Sequence, residues 1–168
     1  MIELILGGAR SGKSSFAEQQ AIASGLAVTY IATGEARDAE MAERIAHHRS
    51  RRPAGWITVE EPLRLAATLT REAAVGRCLL VDCLTLWLAN ALLDGQEDEI
   101  GKLLAALPAL PGHILLVSNE TGWGIVPENA LARRFRDEQG RLNQRIAALA
   151  DTVTLVAAGL PLTLKSGK

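Results

Sequence analysis

Histidine is scarce in this chain, with three among 168 residues, and cysteine is scarcer still, with two. Cys78 and Cys83 flank an apolar run that reads as a strand. Successive strand side chains point to opposite faces, which argues against a bridge and leaves both as small buried hydrophobes. Net charge is also nearly absent, at −1, which removes the electrostatic ground for nucleic acid or an anionic membrane as the main partner. No apolar run approaches the roughly 18 residues that span a bilayer, and the N-terminal residues carry no charged leader or cleavage site, so a cytoplasmic protein is expected. Repeats, low-complexity tracts and linkers are missing as well. One domain over residues 1–168 is expected, long enough to bury a core without disulfides or a structural metal.

What is present is apolar: 48% of residues are hydrophobic and 22% charged, the balance of a globular chain. Five short apolar runs, IELIL, AVTYIA (27–32), CLLVD (78–82), HILLVS (113–118) and DTVTLVAAG (151–159), read as strands. Runs that are apolar throughout, with no polar alternation, fit strands covered on both faces. Helical patterns fall at Lys13 to Ser24, Asp38 to Arg51, Pro62 to Ala74, Leu84 to Leu93, Glu97 to Ala106 and Asn129 to Leu149. In the last, Leu131, Phe135, Leu142, Ile146 and Leu149 share one side and arginines the other. Alternation of strands and helices implies right-handed crossovers and a mainly parallel sheet: an α/β three-layer domain.

The segment GGARSGKS, Gly7 to Ser14, matches G-x-x-x-x-G-K-[ST] between a strand and a helix. Glycines at Gly7, Gly8 and Gly12 let the backbone of Gly7, Gly8, Ala9, Arg10, Ser11 and Gly12 fold around an anion, with the positive end of the helix behind it. Lys13 would reach the β and γ phosphates, and Ser14 would offer its hydroxyl to Mg²⁺. Such a loop needs an acidic residue at the end of a neighbouring strand for the metal, and Asp82 stands there; capping of the following helix is its alternative role. No N-K-x-D motif reads guanine. Asn119 and Glu120 lie in a loop at a strand's carboxyl end, where α/β sheets bind ligands.

Two of the three histidines, His47 and His48, sit together among Arg44, Arg49, Arg51 and Arg52. On a helical wheel Met41, Ala42, Ile45 and Ala46 form the apolar face. His47 lies roughly 170° from its centre and His48 about 90° away. Adjacent histidines diverge by about 100°, and arginines repel cations, so a metal site is disfavoured. A solvated surface histidine remains the bland alternative. The arginines favour an anion, and beside a phosphate loop that anion is a triphosphate. A neutral imidazole there can attack phosphorus and carry the group covalently, while guanidinium groups stabilise the developing charge and keep the ring unprotonated.

Three segments, GGARSGKS, YIATGEARDAEMAERIAHHRSRRPAGW and NETGWGIVPENALARRFRDEQGRLNQRIA, together resemble the bifunctional adenosylcobinamide kinase and adenosylcobinamide-phosphate guanylyltransferase family of cobalamin biosynthesis. The resemblance covers essentially the whole chain. It implies a P-loop NTPase-like fold and two reactions: ATP or GTP phosphorylates the aminopropanol hydroxyl of adenosylcobinamide, then GTP donates GMP to that phosphate through a histidine, releasing pyrophosphate. His47 matches the histidine, with Lys13 the other catalytic residue. The resemblance further implies nucleotide contacts at Gly7 to Ser14, Thr33, Gly34, Glu35, His48, Arg49, Ser50, Arg51, Glu60 and Asp82, the TGE segment through its backbone. Asn119, Glu120 and the glycines up to Pro127 would shape the corrinoid end. Homo-oligomers, with a trimer favoured, are implied too, with Trp56 and Trp123 as interface anchors or ordinary core and rim aromatics. Asp82 and Glu60 are the candidate bases for the acceptor hydroxyl. The competing readings are a P-loop small-molecule kinase without nucleotidyl transfer and a nucleotide-dependent binding module.

Overall fold

The computed structural model describes residues 1–35, 39, 43 and 53–167. Seven strands, β1 (Ile2–Gly7), β2 (Ala27–Ala32), β3 (Ile57–Glu60), β4 (Arg77–Asp82), β5 (His113–Asn119), β6 (Thr152–Ala157) and β7 (Leu160–Lys165), form one sheet in the order β3-β2-β4-β5-β1-β6-β7. All pairings are parallel except β6 with β7. The described helices are α1 (Lys13–Ala23), α2 (Leu65–Glu72), α3 (Leu84–Leu93), α4 (Asp98–Ala106) and α5 (Ala130–Leu149). None is long and apolar enough to cross a membrane.

The sheet separates two apolar layers because neighbouring strand residues face opposite ways. Leu4, Leu6, Leu79, Val81, Ile114 and Leu116 join the layer under α2 to α5, with Leu65, Leu69, Trp87, Leu103 and Ile146. Ile5, Cys78, Leu80, Leu115 and Val117 face the other way, onto Ala17 and Ala21 of α1. Those two alanines are four residues apart, so one small-residue stripe lets α1 approach the sheet closely.

The mainly parallel three-layer architecture is the expected one, and both cysteines are free and buried. Three expectations need correcting. The strands β3 and β7 were not among the five apolar runs: β3 is short and half exposed, and β7 carries Pro161 and is exposed along its whole length. The helix expected over 62–74 runs from 65 to 72, because the Glu61 carboxylate accepts the Leu63 and Arg64 N–H groups and holds the preceding residues in a turn. The long apolar side of α5 is buried only in its middle. Leu131 and Leu149 are exposed, whereas polar Gln139 and Asn143 are buried beside Leu142 and Ile146. The helix expected over 38–51 lies outside the described residues, apart from positions 39 and 43.

Candidate functional site

The loop after β1 is fixed by close approach. A Cβ on Gly7 would stand 2.4 Å from Ser11 Oγ and 2.6 Å from the Val156 carbonyl oxygen, so only glycine fits. Arg10 (φ 56) and Gly12 (φ 95) take left-handed conformations that reverse the chain into α1. Gly12 caps α1 without a side-chain bond, and no acidic residue stands in the first turn. The first helical N–H groups therefore point towards the loop with no side chain satisfying them, the arrangement that binds anions. Lys13 is buried, and its Nζ donates to the Gly8 carbonyl at 3.1 Å, which folds the ammonium back over the loop.

The β6–β7 hairpin supports the loop from outside. Its two-residue turn, Ala158 (φ 52) and Gly159 (φ 78), is left-handed at both positions. Gly159 N–H donates to the Ser11 carbonyl at 2.8 Å, and a Cβ on Gly12 would lie 3.3 Å from Gly159 Cα.

Polar rungs tie the carboxyl ends of the strands together. Asp82 ends β4, and its Oδ2 accepts the Tyr30 hydroxyl at 3.0 Å. Cys83, not Asp82, is the residue that caps α3, so the capping alternative for Asp82 is not what the structure shows. Thr33 Oγ1 donates to the Cys83 carbonyl at 2.7 Å and accepts the Cys83 N–H at 2.8 Å. Burial, reinforced by the Asp82 charge, pushes the Cys83 thiol up to about 11. Further along, Asn119 N–H donates to Thr85 Oγ1 at 2.8 Å, and Glu120 N–H donates to the Gly7 carbonyl at 3.2 Å. Asn143 Nδ2 on α5 donates to the Asn119 carbonyl at 3.0 Å and to Glu120 Oε1 at 3.1 Å. Buried Ser11 Oγ, Asn119 Oδ1, Thr121 Oγ1 and Gln139 Oε1 find no partner among the described residues.

The residues expected to bind nucleotide are therefore distributed unevenly. Gly7, Gly8, Ala9, Arg10, Ser11, Gly12, Lys13 and Ser14 form the loop, and Asp82 stands two strands away on β4, with β5 between. Thr33 is fully buried with its hydroxyl committed to Cys83, and acts as a brace beneath the rim. Gly34 and exposed Glu35 continue past β2. Glu60 ends the edge strand β3 and is exposed. It lies four strand spacings from β1, about 19 Å across the sheet. Trp56 packs on Tyr30 with ring centroids 6.4 Å apart, while Trp123 is exposed. His47, His48, Arg49, Ser50 and Arg51, with Arg44 and Arg52, lie outside the described residues. Sequence reasoning missed the Ser118, Gln139 and Asn143 cluster and the hairpin contact. The first had a signal: two amides one turn apart at the edge of an apolar helical stripe.

The donor chemistry suits a hard cation held mainly by substrate. Ser14 and Asp82 offer hydroxyl and carboxylate oxygens, and no group of three or more His, Cys, Asp or Glu side chains able to hold a metal occurs among the described residues. Mg²⁺ is commonly bound in this way, by one or two protein oxygens plus phosphates.

A family model described as cobinamide kinase / cobinamide phosphate guanyltransferase matches residues 3–164. The chain is 62% identical over 169 residues to the bifunctional adenosylcobalamin biosynthesis protein CobP of Pseudomonas aeruginosa, covering 98% of each chain. It is 44% identical over 182 residues to the bifunctional adenosylcobalamin biosynthesis protein CobU of Salmonella typhimurium, covering 98% of this chain and 100% of that one. Among solved structures, the flagellar accessory protein FlaH from Methanocaldococcus jannaschii superposes with a TM-score of 0.57 at 12% identity, covering 99% of this chain and 78% of that one. The RadB recombinase gives 0.52 at 17%, covering 92% and 73%. At such identities the likeness is one of fold, and the fold is P-loop NTPase-like.

Proposed function

The chain belongs to the cobinamide kinase / cobinamide phosphate guanyltransferase family, and from that premise we propose a two-step reaction with named residues. It is a bifunctional enzyme of cobalamin biosynthesis. In the first step ATP or GTP phosphorylates the hydroxyl of adenosylcobinamide. In the second, His47 takes GMP from GTP, releasing pyrophosphate, and passes it to the new phosphate to give adenosylcobinamide-GDP. Residues 1–168 act as one P-loop domain, in the cytoplasm, and the enzyme is a homo-oligomer, a trimer by resemblance. Exposed Leu160, Leu162 and Leu164 on the edge strand β7 are apolar surface that self-association would cover.

The observation that carries the reading is the loop itself: a glycine-only turn at Gly7, an uncapped helix N-terminus and Lys13 Nζ folded over Gly8. Backbone N–H groups from Gly8 to Ser14 would surround the phosphates, and Lys13 would meet the charge that develops on the transferred group. Ser14 and Asp82 would hold Mg²⁺, which would supply neutralisation of phosphate charge when bound. Thr33, Gly34, Glu35, His48, Arg49, Ser50, Arg51 and Glu60 would complete the nucleotide contacts, Thr33 indirectly by fixing Cys83 next to Asp82.

The His47 role is tested by incubating the protein with α-labelled GTP. The expected result is a covalent label lost in acid, as a phosphoramidate is, and absent from His47→Ala while phosphoryl transfer persists. A label that survives acid or the substitution overturns the role. Phosphorylated product without pyrophosphate release would reduce the enzyme to a small-molecule kinase.

A further inference from the structure

The amide cluster between α5 and β5 is unusual for its place. Ser118, Gln139 and Asn143 are 0%, 0% and 4% exposed, beside a layer built mainly of leucine, isoleucine and valine. Buried polar side chains destabilise a core unless bonded, so an apolar helix face would have packed β5 more cheaply.

The bonds run in one direction. Gln139 Nε2 donates to Ser118 Oγ at 2.9 Å and to Asn143 Oδ1 at 3.0 Å. Ser118 Oγ donates to the same Asn143 oxygen at 2.7 Å. With its carbonyl oxygen accepting two protons, the Asn143 amide has one orientation, and its Nδ2 faces Asn119 O and Glu120 Oε1. The chain of bonds thus ends on one carboxylate oxygen. The backbone of that residue is in turn bonded to Gly7, the first residue of the phosphate loop, and Asn119 pairs with Gly7 in register. Glu120 is half buried, so its carboxylate stands beside the phosphate loop without being sealed in the core; it also lines a cavity of about 330 Å³ between α5 and the β6–β7 hairpin, with Asn143, Gln144, Val153 and Lys165.

We propose that Glu120 takes the proton of the acceptor hydroxyl during phosphoryl transfer, and that Asn143, clamped by Gln139 and Ser118, is the positioning residue that holds it. The inference rests on the kinase half of the reading above. In the step, the acceptor oxygen bonds to the γ-phosphorus and the bond from phosphorus to the β–γ bridging oxygen breaks. The nucleoside diphosphate leaves with that electron pair, and the hydroxyl proton passes to Oε2, the oxygen that Asn143 does not bond. The two carboxylates singled out from the sequence are worse placed. Asp82 is bonded to Tyr30 and faces the metal role, and Glu60 stands on the far edge of the sheet.

The test is steady-state phosphorylation of adenosylcobinamide by ATP with the full-length protein. Glu120→Gln preserves shape and can still accept the Asn143 bond, so it should fold. Its kcat should fall by about 100-fold or more, the usual contribution of general base catalysis, with the ATP KM changed by less than about threefold. Glu120→Asp should restore part of the loss. Asn143→Asp turns a carboxylate oxygen towards Glu120 in place of an N–H and should lower kcat at least tenfold per folded molecule, with folding scored by urea titration. A Glu120→Gln enzyme as active as wild type overturns the inference alone. So does an Asn143→Asp enzyme that loses stability but keeps its kcat, since the cluster would then be structural. A wild-type chain that transfers no phosphate overturns the kinase reading and this inference with it.

Discussion

Thr33 offers a sharp test because its side chain makes two bonds to one residue. Its hydroxyl donates to the Cys83 carbonyl and accepts the Cys83 N–H, at 2.7 and 2.8 Å, at a site with no exposure. Thr33→Val replaces that hydroxyl with a methyl of similar size. Packing is retained and the Cys83 N–H is left buried without a partner, while the Cys83 carbonyl keeps the Trp87 N–H at 3.2 Å. One unsatisfied group costs roughly 1–3 kcal/mol, so about 2 kcal/mol is expected. For a chain of this length that lowers Tm by roughly 4–8 °C. Thr33→Ser makes the opposite change: it keeps both bonds and removes one methyl, for about 1 kcal/mol. Urea and thermal unfolding followed by circular dichroism rank the two. The reasoning fails if the valine variant is as stable as the serine variant, because hydrophobicity alone would then govern the site.

Two further predictions follow from backbone and thiol chemistry. Ala158 takes φ 52 without being glycine, so Ala158→Gly should stabilise by about 0.5–1 kcal/mol and Gly159→Ala should destabilise by about 1 kcal/mol, read by calorimetry; a lower Tm for Ala158→Gly refutes the turn geometry. Burial raises the Cys78 and Cys83 thiols from 9.0 to about 11. The folded chain therefore keeps protons that the unfolded chain releases, and the stability this contributes is complete below pH 9 and lost as pH rises towards 11. Urea midpoints between pH 8 and 10.5 should fall less steeply in the Cys78→Ala, Cys83→Ala double variant than in wild type; equal slopes would refute the assignment.

The inner strands were legible because a strand covered on both faces is apolar through its middle, and the LLV of CLLVD and the ILLV of HILLVS are written that way. The outer strands follow another rule. In LPLTLK the leucines alternate with proline, threonine and lysine, which is a period-two signal, but the leucines face outwards and proline suits an edge. The loop was legible from spacing alone, since Gly7, Gly12 and Lys13 each answer a local geometric demand. The amide cluster was not, because Ser118, Gln139 and Asn143 come together only when α5 lies on β5, and the chain separates them by a loop and two helical turns. The same holds for Thr33 and Cys83, whose bond depends on β2 pairing with β4. The chemistry expected of His47 came from its neighbours in sequence, and that segment lies outside the described residues.

The contact of Gly159 with Ser11 joins residues near opposite ends of the sequence. The loop after the first strand is therefore completed only when the last hairpin of the sheet closes on it, so its geometry reports on packing 148 residues further along the chain.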